Sequence, residues 1–307
     1  MAATTAGSPQ TRTRWWKTRK GEQRLVGYGF LLPDLIGLAV FVILPIVGAI
    51  YISFHKWTGI GVREWNGIEN YKTLIHDAAF WNSLKITAIY TFSFVPLLFV
   101  CSLGLALLVN QGLKMTGLLR SAFFAPYMVS LVISSVIWIF MLQDPAGVVN
   151  VIIGWFGFAP QAWLGDTDTA LISVIIVTLW QSVGYSMIIF LAGLQDIPGS
   201  YYEAAKVDGA SSWSRFRHIT LPLLKPTSLF VALISFIGAF QLFDPIFVMT
   251  QGGPANATTT TVYYIYQQAF QFLQLGYASA LSVVLFLIIL VFSLLQLRVF
   301  RDDSNDL

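Results

Sequence analysis

The chain alternates between long apolar runs and short polar segments, and this pattern predicts its architecture. Each apolar run is long enough for the roughly 20 residues that a membrane-spanning helix needs. A helix satisfies its own backbone hydrogen bonds, which lipid cannot do. The pattern therefore predicts an all-α polytopic membrane protein whose transmembrane domain is 26–300, with six spans at about 29–54, 86–109, 120–142, 170–194, 223–249 and 277–300.

The Lys and Arg residues are distributed unevenly between the two ends of these spans. Six lie in the stretch 1–25, two follow the second run, four lie between residues 206 and 225, and two, at 298 and 301, lie at the end of the last run. Lys and Arg accumulate on the cytoplasmic side of membrane proteins. We therefore expect a multi-pass protein of the cell (plasma or inner) membrane, in which the tails 1–25 and 301–307 and the loop 195–222 are cytoplasmic.

Composition excludes several kinds of chemistry. Only 11% of the residues are charged and the mean hydropathy is +0.70, whereas soluble domains carry about 25% charged residues. The single cysteine and three scattered histidines have no metal-ligand spacing. The phosphate-loop pattern G-x-x-x-x-G-K-[ST] is missing from the sequence, as are H-E-x-x-H and G-x-S-x-G. We expect no catalytic, cofactor-binding or metal-binding residues in this chain, and no nucleic-acid partner.

A polar segment, Glu203 to Pro222, separates the fourth and fifth runs. Ser200 stands three residues before Glu203, which predicts a capping box and a helix from about Tyr201. Gly209 can adopt the left-handed conformation that ends such a helix, and a serine at 211 or 212 can cap a second one. The segment is predicted to form a helix-turn-helix, and these residues alone leave open whether it is a simple connection or a docking surface.

The spacing of this segment resembles the EAA loop of binding-protein-dependent ABC importer permeases. Glu-Ala-Ala begins at residue 203, Gly209 follows after three residues, and Ile219 and Leu221-Pro222 follow after nine more. Three other stretches extend the resemblance to the sugar-type members, the third of them to the first permease of such systems: NGIENY from residue 66, FFAP from residue 123, and MTQGGP from residue 249 with the threonines 258–261.

The resemblance implies a crossed bundle of six helices with a cytoplasmic coupling helix-turn-helix. It also implies a heterodimer with a second permease subunit, a pair of ATPase subunits that bind ATP and Mg, and an extracytoplasmic substrate-binding protein. This chain would be a translocating subunit within the lipid bilayer and not an enzyme. The residues that the resemblance assigns to ATPase coupling are Tyr201, Tyr202, Glu203, Ala204, Ala205, Asp208, Gly209, Ala210, Phe216 and Pro222.

Polar groups inside the membrane are costly and therefore mark candidate substrate contacts. On the fourth span they recur at i, i+3, i+4 and i+7, which places them on one helix face, and a second cluster lies on the fifth span. The alternative is that the amides and hydroxyls join helices to one another. The candidate substrate-binding residues are Thr178, Gln181, Ser182, Tyr185, Phe240, Gln241 and Asp244.

In the maltose-type permeases that the chain resembles, the pocket is lined from these same two spans. Tyr185 keeps the aromatic residue found there, but Gly238, Ala239 and Leu242 stand where that type has Phe and Asn. Aromatic faces with amides and hydroxyls suit a neutral sugar or oligosaccharide. The alternatives are a non-sugar solute such as a polyol or glycerol phosphate, a stand-alone secondary transporter, which would show inverted repeats and ion-coupling acids, and a membrane enzyme, which would need convergent His, Glu or Asp.

Overall fold

The computed structural model describes residues 19–111 and 115–302. Parts of the predicted cytoplasmic segments lie outside this range. They are the tail up to residue 18, the stretch 112–114 with Lys114, and the last five residues. Within it the chain is helical almost throughout, which confirms the all-α polytopic prediction. In chain order the helices are α1 (Arg19–Leu38), α2 (Leu44–Ser53), α3 (Glu69–His76), α4 (Ala78–Val109), α5 (Thr116–Met128), α6 (Leu131–Met141), α7 (Val148–Trp155), α8 (Thr167–Gln195), α9 (Gly199–Val207), α10 (Ser212–Arg215), α11 (Leu221–Leu223), α12 (Lys225–Phe240), α13 (Thr261–Tyr266) and α14 (Leu275–Asp302).

Two kinds of smaller element complete the described chain. A short antiparallel hairpin pairs β1 (His55–Lys56) with β2 (Glu64–Trp65), so that His55 lies opposite Trp65. Single π-helical turns continue or join helices at Ala39–Ile43, Phe216–Thr220, Ile246–Thr250 and Gln267–Gln271. The first of these turns makes α1 and α2 one continuous apolar helix.

In the described residues, four helices are long and apolar enough to cross a membrane, or six if each of two bent pairs counts as one span. The third predicted span, 120–142, is one of these pairs, because α5 and α6 meet at 95°. Val129 and Ser130 have extended backbone angles at the bend. Pro126 has no backbone N–H and weakens the last turn of α5.

The fifth span also differs from the prediction of 223–249. The segment Ser212–Leu223 and α12 are bent by 65° relative to each other, and α12 ends at Phe240. Gln241 leaves the helical backbone angles, with φ = −96° and ψ = 14°, and the backbone becomes helical again only at Asp244. The apolar run thus continues past residue 240 while the long helix does not.

The core of the bundle lies where α4 and α8 pack along each other. At the cytoplasmic end predicted from charge, Ala106, Val109, Phe190 and Leu194 belong to one buried cluster. Gly184 allows α5 to cross α8 closely, since a Cβ at this position would collide with the backbone carbonyl of Phe123. The crossing fixes the position of the bent third span against the fourth.

The segment 55–85, between the first two predicted spans, contains several ordered elements. It contains the hairpin, α3 and the first turns of α4. Asp77 caps α4, because its Oδ1 accepts the backbone N–H of Ala79 at 2.9 Å. This cap starts the helix about eight residues before the apolar run itself begins.

Asp77 also joins distant parts of the chain. Its Oδ2 accepts hydrogen bonds from the hydroxyls of Tyr264 at 2.6 Å and Tyr277 at 2.5 Å. Burial acts to raise the pKa of the Asp77 carboxyl, but the two hydroxyl donors and the backbone N–H groups of Phe80 and Ala79 outweigh it, so the pKa is lowered. One carboxylate therefore holds the starts of α4 and α14 to α13.

Candidate functional site

A cavity of about 380 Å³ lies within the membrane-spanning bundle, between α4, α8, α12 and the bend that joins α5 to α6. Its volume falls in the range of about 300–1,000 Å³ typical of ligand pockets. The wall is mostly apolar and aromatic with a few hydroxyl groups. It is lined by Tyr90, Phe94, Leu98, Tyr127, Leu131, Thr178, Ser182, Tyr185, Ser186, Ile234, Ser235, Gly238, Ala239 and Leu242.

Two tyrosines form an aromatic plate on one side of this cavity. The rings of Tyr127 and Tyr185 stack with their centroids 4.5 Å apart and their planes at 14°. Tyr127 comes from α5 and Tyr185 from α8, directly after Gly184. The close crossing at Gly184 therefore brings the two rings together. Such a plate offers an apolar face with a polar hydroxyl at each ring edge.

Hydroxyl groups supply the polar part of the wall. The Tyr90 hydroxyl donates to Thr178 Oγ1 at 2.9 Å, and Thr178 Oγ1 donates to the Val174 carbonyl at 2.8 Å. This chain of hydrogen bonds connects α4 to α8 at the cavity. Ser182 and Ser235 add two half-buried hydroxyls from α8 and α12, and each hydroxyl can both donate and accept.

Three of the four candidates predicted on the fourth span line the cavity: Thr178, Ser182 and Tyr185. Gln181 does not belong to its lining. Its Nε2 donates to the carbonyl of Val129 at 3.1 Å, at the bend between α5 and α6. Gln181 thus joins helices, which is the alternative role that polar residues take in membrane bundles.

The three candidates predicted on the fifth span lie away from this cavity. Phe240 is buried against Phe236 and Leu285. Gln241 lines a separate cleft of about 640 Å³ between α12, α13 and α14. Asp244 is exposed in the segment that follows α12. The face of α12 that meets the cavity instead carries Gly238 and Ala239, with Leu242 just beyond the helix end.

Tyr90 and Tyr127 line the cavity although neither is among the residues predicted from the sequence. Both stand in apolar stretches, where a tyrosine needs a hydrogen-bond partner or water for its hydroxyl. The need for a partner could therefore be predicted from the sequence. The partner itself could not be identified, because Thr178 lies 88 positions from Tyr90.

The outer wall of the cavity is connected to the threonine run that follows the GGP turn. Thr260 Oγ1 donates to the carbonyl of Leu242 at 2.9 Å. The backbone N–H of Thr261 donates to Thr87 Oγ1 at 2.9 Å. The run therefore ties the segment after α12, which contributes Leu242 to the cavity wall, to α4.

The predicted helix-turn-helix is present as α9, a turn, α10 and the π-helical turn that follows. Gly209 has φ = +75°, which confirms the left-handed conformation expected there. Its N–H donates to the Lys206 carbonyl at 3.1 Å, and the Ala210 N–H donates to the Ala205 carbonyl at 2.8 Å. This pair of bonds is the Schellman motif that ends a helix.

Of the two helix caps predicted in this segment, one is present and the other is absent. The Ser211 side chain accepts the N–H of Ser214 at 3.2 Å, as expected for the cap of α10. The capping box at Ser200 is wrong. Helix α9 starts at Gly199, with Pro198 as its N-cap residue and no side-chain cap, so Ser200 already lies in the first turn.

Tyr202 and Ile219 attach the helix-turn-helix to the bundle, because both pack against the buried cluster that contains Leu194 and Leu224. Within the segment, the hydroxyls of Tyr202 on α9 and Thr220 on the π-helical turn are 3.0 Å apart and join its two arms. Because α9 directly follows α8 and the segment leads into α12, the helix-turn-helix is continuous in the chain with two helices that line the cavity.

The remaining predicted coupling residues divide by exposure. Ala205, Ala210 and Phe216 are half-buried, whereas the outward side of the segment carries exposed apolar residues that the prediction omitted, with Val207 88% and Trp213 68% exposed. Patches of this kind typically contact another protein. The predicted residues that are exposed are Tyr201, Glu203, Ala204, Asp208, Gly209 and Pro222.

Among residues 19–111 and 115–302, no group of three or more His, Cys, Asp or Glu side chains that could hold a metal ion occurs. A bent helical bundle with a membrane-embedded cavity and an exposed helix-turn-helix defines a polytopic transport component.

Comparison with known proteins agrees with this class and narrows it. Residues 89–302 match the family described as the inner membrane component of binding-protein-dependent transport systems. The chain belongs to this family, as the motif resemblance predicted. It is therefore a multi-pass inner-membrane permease subunit.

Two relatives cover nearly the whole chain. The trehalose/maltose transport system permease protein MalF of Thermococcus litoralis is 37% identical over 290 residues, which are 92% of this chain and 97% of that protein. The probable starch degradation products transport system permease protein AmyD of Thermoanaerobacterium thermosulfurigenes is 36% identical over 269 residues, or 87% and 91%. The fold is similar to that of a chain in a bacterial ABC transporter involved in the import of alginate. The TM-score is 0.81 and the identity is 24%, and the match covers 92% of this chain and 98% of that chain.

Proposed function

We propose that this chain is the membrane-spanning permease subunit of an ATP-driven importer for a sugar or oligosaccharide. The observation that carries the proposal is that relatives named for trehalose/maltose and starch degradation products align over almost its full length. The cavity has the chemistry that such a substrate needs, because a stacked aromatic plate can cover the apolar face of a sugar ring while hydroxyls bind its edge.

The substrate in this proposal contacts the cavity between α4, α8 and α12. The plate of Tyr127 and Tyr185 provides stacking. Ser182 and Ser235 provide hydrogen bonds, and Thr178 positions the Tyr90 hydroxyl. Among these residues the wall has no ionisable group other than tyrosine, which favours a neutral substrate over a charged one such as glycerol phosphate.

The helix-turn-helix is proposed to contact a separate ATPase subunit that binds ATP and Mg. Its exposed Val207 and Trp213 and the small residues around Ala204 allow close contact with another protein. Movement of this segment would be transmitted to α8 and α12, since Tyr202 and Ile219 pack against the buried cluster to which both helices contribute. Rigid-body movement of packed helices is an established way to alternate access to a site.

The proposed assembly places both termini and the helix-turn-helix in the cytoplasm. The uneven distribution of Lys and Arg supports this orientation. A second permease subunit would complete the translocation path, and an extracytoplasmic binding protein would deliver the substrate, as the name of the family implies.

Reconstituted transport tests the proposal. The full chain would be co-purified with the permease, ATPase and binding protein encoded beside it, placed in proteoliposomes, and assayed with labelled mono-, di- and oligosaccharides, a polyol and glycerol phosphate. We expect uptake of a carbohydrate that requires both ATP and the binding protein. Uptake of only the polyol or the phosphate ester would contradict the substrate class, and ATP-independent uptake by this chain alone would contradict the mechanism.

A further inference from the structure

We propose that the β1–β2 hairpin is an interfacial anchor that inserts its apolar tip among the lipid headgroups at the end of the first span. The tip carries Ile60 and Val62, whose side chains are 83% and 87% exposed. Glycines flank Ile60 on both sides, so no polar side chain lies between Ile60 and Val62. Side chains of this size and exposure mark a surface that contacts another apolar phase.

The base of the hairpin is fixed at the ends of two spans. It starts at His55, two residues after α2 ends. The Gly276 N–H at the start of α14 donates to the Trp57 carbonyl at 3.1 Å. A Cβ at Gly276 would collide with the carbonyl of His55. The hairpin is therefore held at the level where α2 and α14 leave the bilayer.

The lipid-facing surface of α2 continues onto the hairpin through aromatic contacts. Tyr51 and Val47, one turn apart on α2, are both more than half exposed. The His55 ring lies 4.4 Å from the ring of Tyr51 and 5.1 Å from that of Trp65. The Trp65 ring also stacks on Phe54 at 5.9 Å. The apolar surface that faces lipid in the span thus extends to Trp65 on β2.

Cationic groups lie beside these aromatic rings. The guanidinium of Arg63 is 4.4 Å from the centroid of the Trp57 ring, and Lys56 is exposed on β1. Trp and Tyr are enriched at membrane interfaces, where Lys and Arg reach the polar headgroup level. An apolar tip with adjacent Trp and cationic side chains matches the chemistry of phospholipid headgroups and the upper acyl chains.

Spin labelling in a bilayer tests the depth of the hairpin. The chain has one cysteine, so a Cys101→Ser background accepts a single label at Ile60→Cys or Val62→Cys. The full chain with its transport partners would be placed in nanodiscs of phosphatidylethanolamine and phosphatidylglycerol. Val47→Cys on the lipid-facing side of α2 is the apolar reference, and Thr73→Cys on the exposed polar side of α3 is the aqueous reference.

The measured quantity is the ratio of collisions with oxygen, which enters lipid, to collisions with a water-soluble nickel chelate. We expect this ratio at positions 60 and 62 to lie closer to that of position 47 than to that of position 73. A ratio equal to that at position 73 would overturn the proposal. Shielding of both labels from oxygen and nickel alike would also overturn it, because the hairpin would then be covered by a protein.

Discussion

Gly184 of α8 lies directly against the backbone carbonyl of Phe123 on α5, with no room for a methyl group between the helices. The crossing brings Tyr127 and Tyr185 together and so builds the aromatic plate of the cavity. We predict that Gly184→Ala separates the helices and lowers the unfolding free energy by about 1–3 kcal/mol, the usual cost of overpacking. Thermal unfolding in detergent measures the effect.

Gly104 on α4 provides the matched control for this substitution. It is also a helical glycine, but a Cβ there would have no atom within 4 Å. Gly104→Ala should leave the unfolding temperature unchanged or raise it, because alanine favours a helix over glycine. Equal unfolding temperatures for the two variants would contradict the close crossing.

The plate itself is tested by Tyr185→Ala and Tyr185→Phe. A stacked aromatic pair contributes about 0.5–1.5 kcal/mol, so loss of the ring should reduce ATP-dependent uptake about two- to tenfold. The phenylalanine variant keeps the stack at 4.5 Å from Tyr127 and should retain more of the activity than the alanine variant. Equal uptake by wild type and Tyr185→Ala would mean that the ring only packs.

The all-α class was predictable, because an apolar run of about 20 residues in a membrane forms a helix. The bends were less predictable. Proline stands near each one, at Pro126 for the α5–α6 bend and at Pro222 and Pro226 for the bend before α12, but the apolar run continues through the first of them. Whether a proline ends a span or only kinks it depends on neighbouring helices that satisfy the released backbone groups. The contact of Gln181 with the Val129 carbonyl is an interaction of this kind.

Part of the cavity followed from helical periodicity. Thr178, Ser182 and Tyr185 share a face of α8 because α8 is regular there. Periodicity did not identify which face of α12 meets the cavity, since it does not say how a helix is rotated against its neighbours. Phe240 packs against Leu285 on α14, while Gly238 faces the cavity. Long-range packing determines that rotation.

The carboxylate of Asp77 predicts a pH dependence of stability. Its pKa is lowered in the folded protein from an ordinary value of about 3.9. A lowered pKa means that the charged form stabilises the fold fully above the ordinary value, and this contribution is lost as pH falls through the folded pKa. Wild type should therefore lose stability below about pH 4 more steeply than Asp77→Asn does, measured as unfolding temperature against pH.

Tyr277→Phe separates the hydrogen bond from the charge. It removes one donor to Asp77 Oδ2 while the Tyr264 donor remains, and we expect a loss of about 1 kcal/mol, the typical net value of a hydrogen bond. Asp168→Asn, at an exposed position of α8, is the control and should keep the wild-type pH profile. A Tyr277→Phe variant as stable as wild type would show that the contact is dispensable.

The left-handed Gly209 is the point at which the helix-turn-helix is most sensitive to substitution. At φ = +75° a side chain costs about 1–2 kcal/mol, with asparagine tolerated better than other residues. We predict that Gly209→Val reorients α9 against α10 and abolishes uptake while the subunit remains in the membrane, whereas Gly209→Asn keeps partial uptake. Uptake and ATP hydrolysis would be measured together in proteoliposomes.

Gly199, at the start of α9, is the control for Gly209. It lacks a positive φ and has open space around the Cβ position, so Gly199→Ala should transport normally. The pair of glycines separates turn geometry from a general sensitivity of α9 to added side chains. Because Tyr202 on α9 packs against the buried cluster that contains Leu194 and Leu224, a reoriented α9 displaces the exposed surface and also its attachment to the cavity helices. If Gly209→Val imported substrate at the wild-type rate, the turn would have no part in coupling.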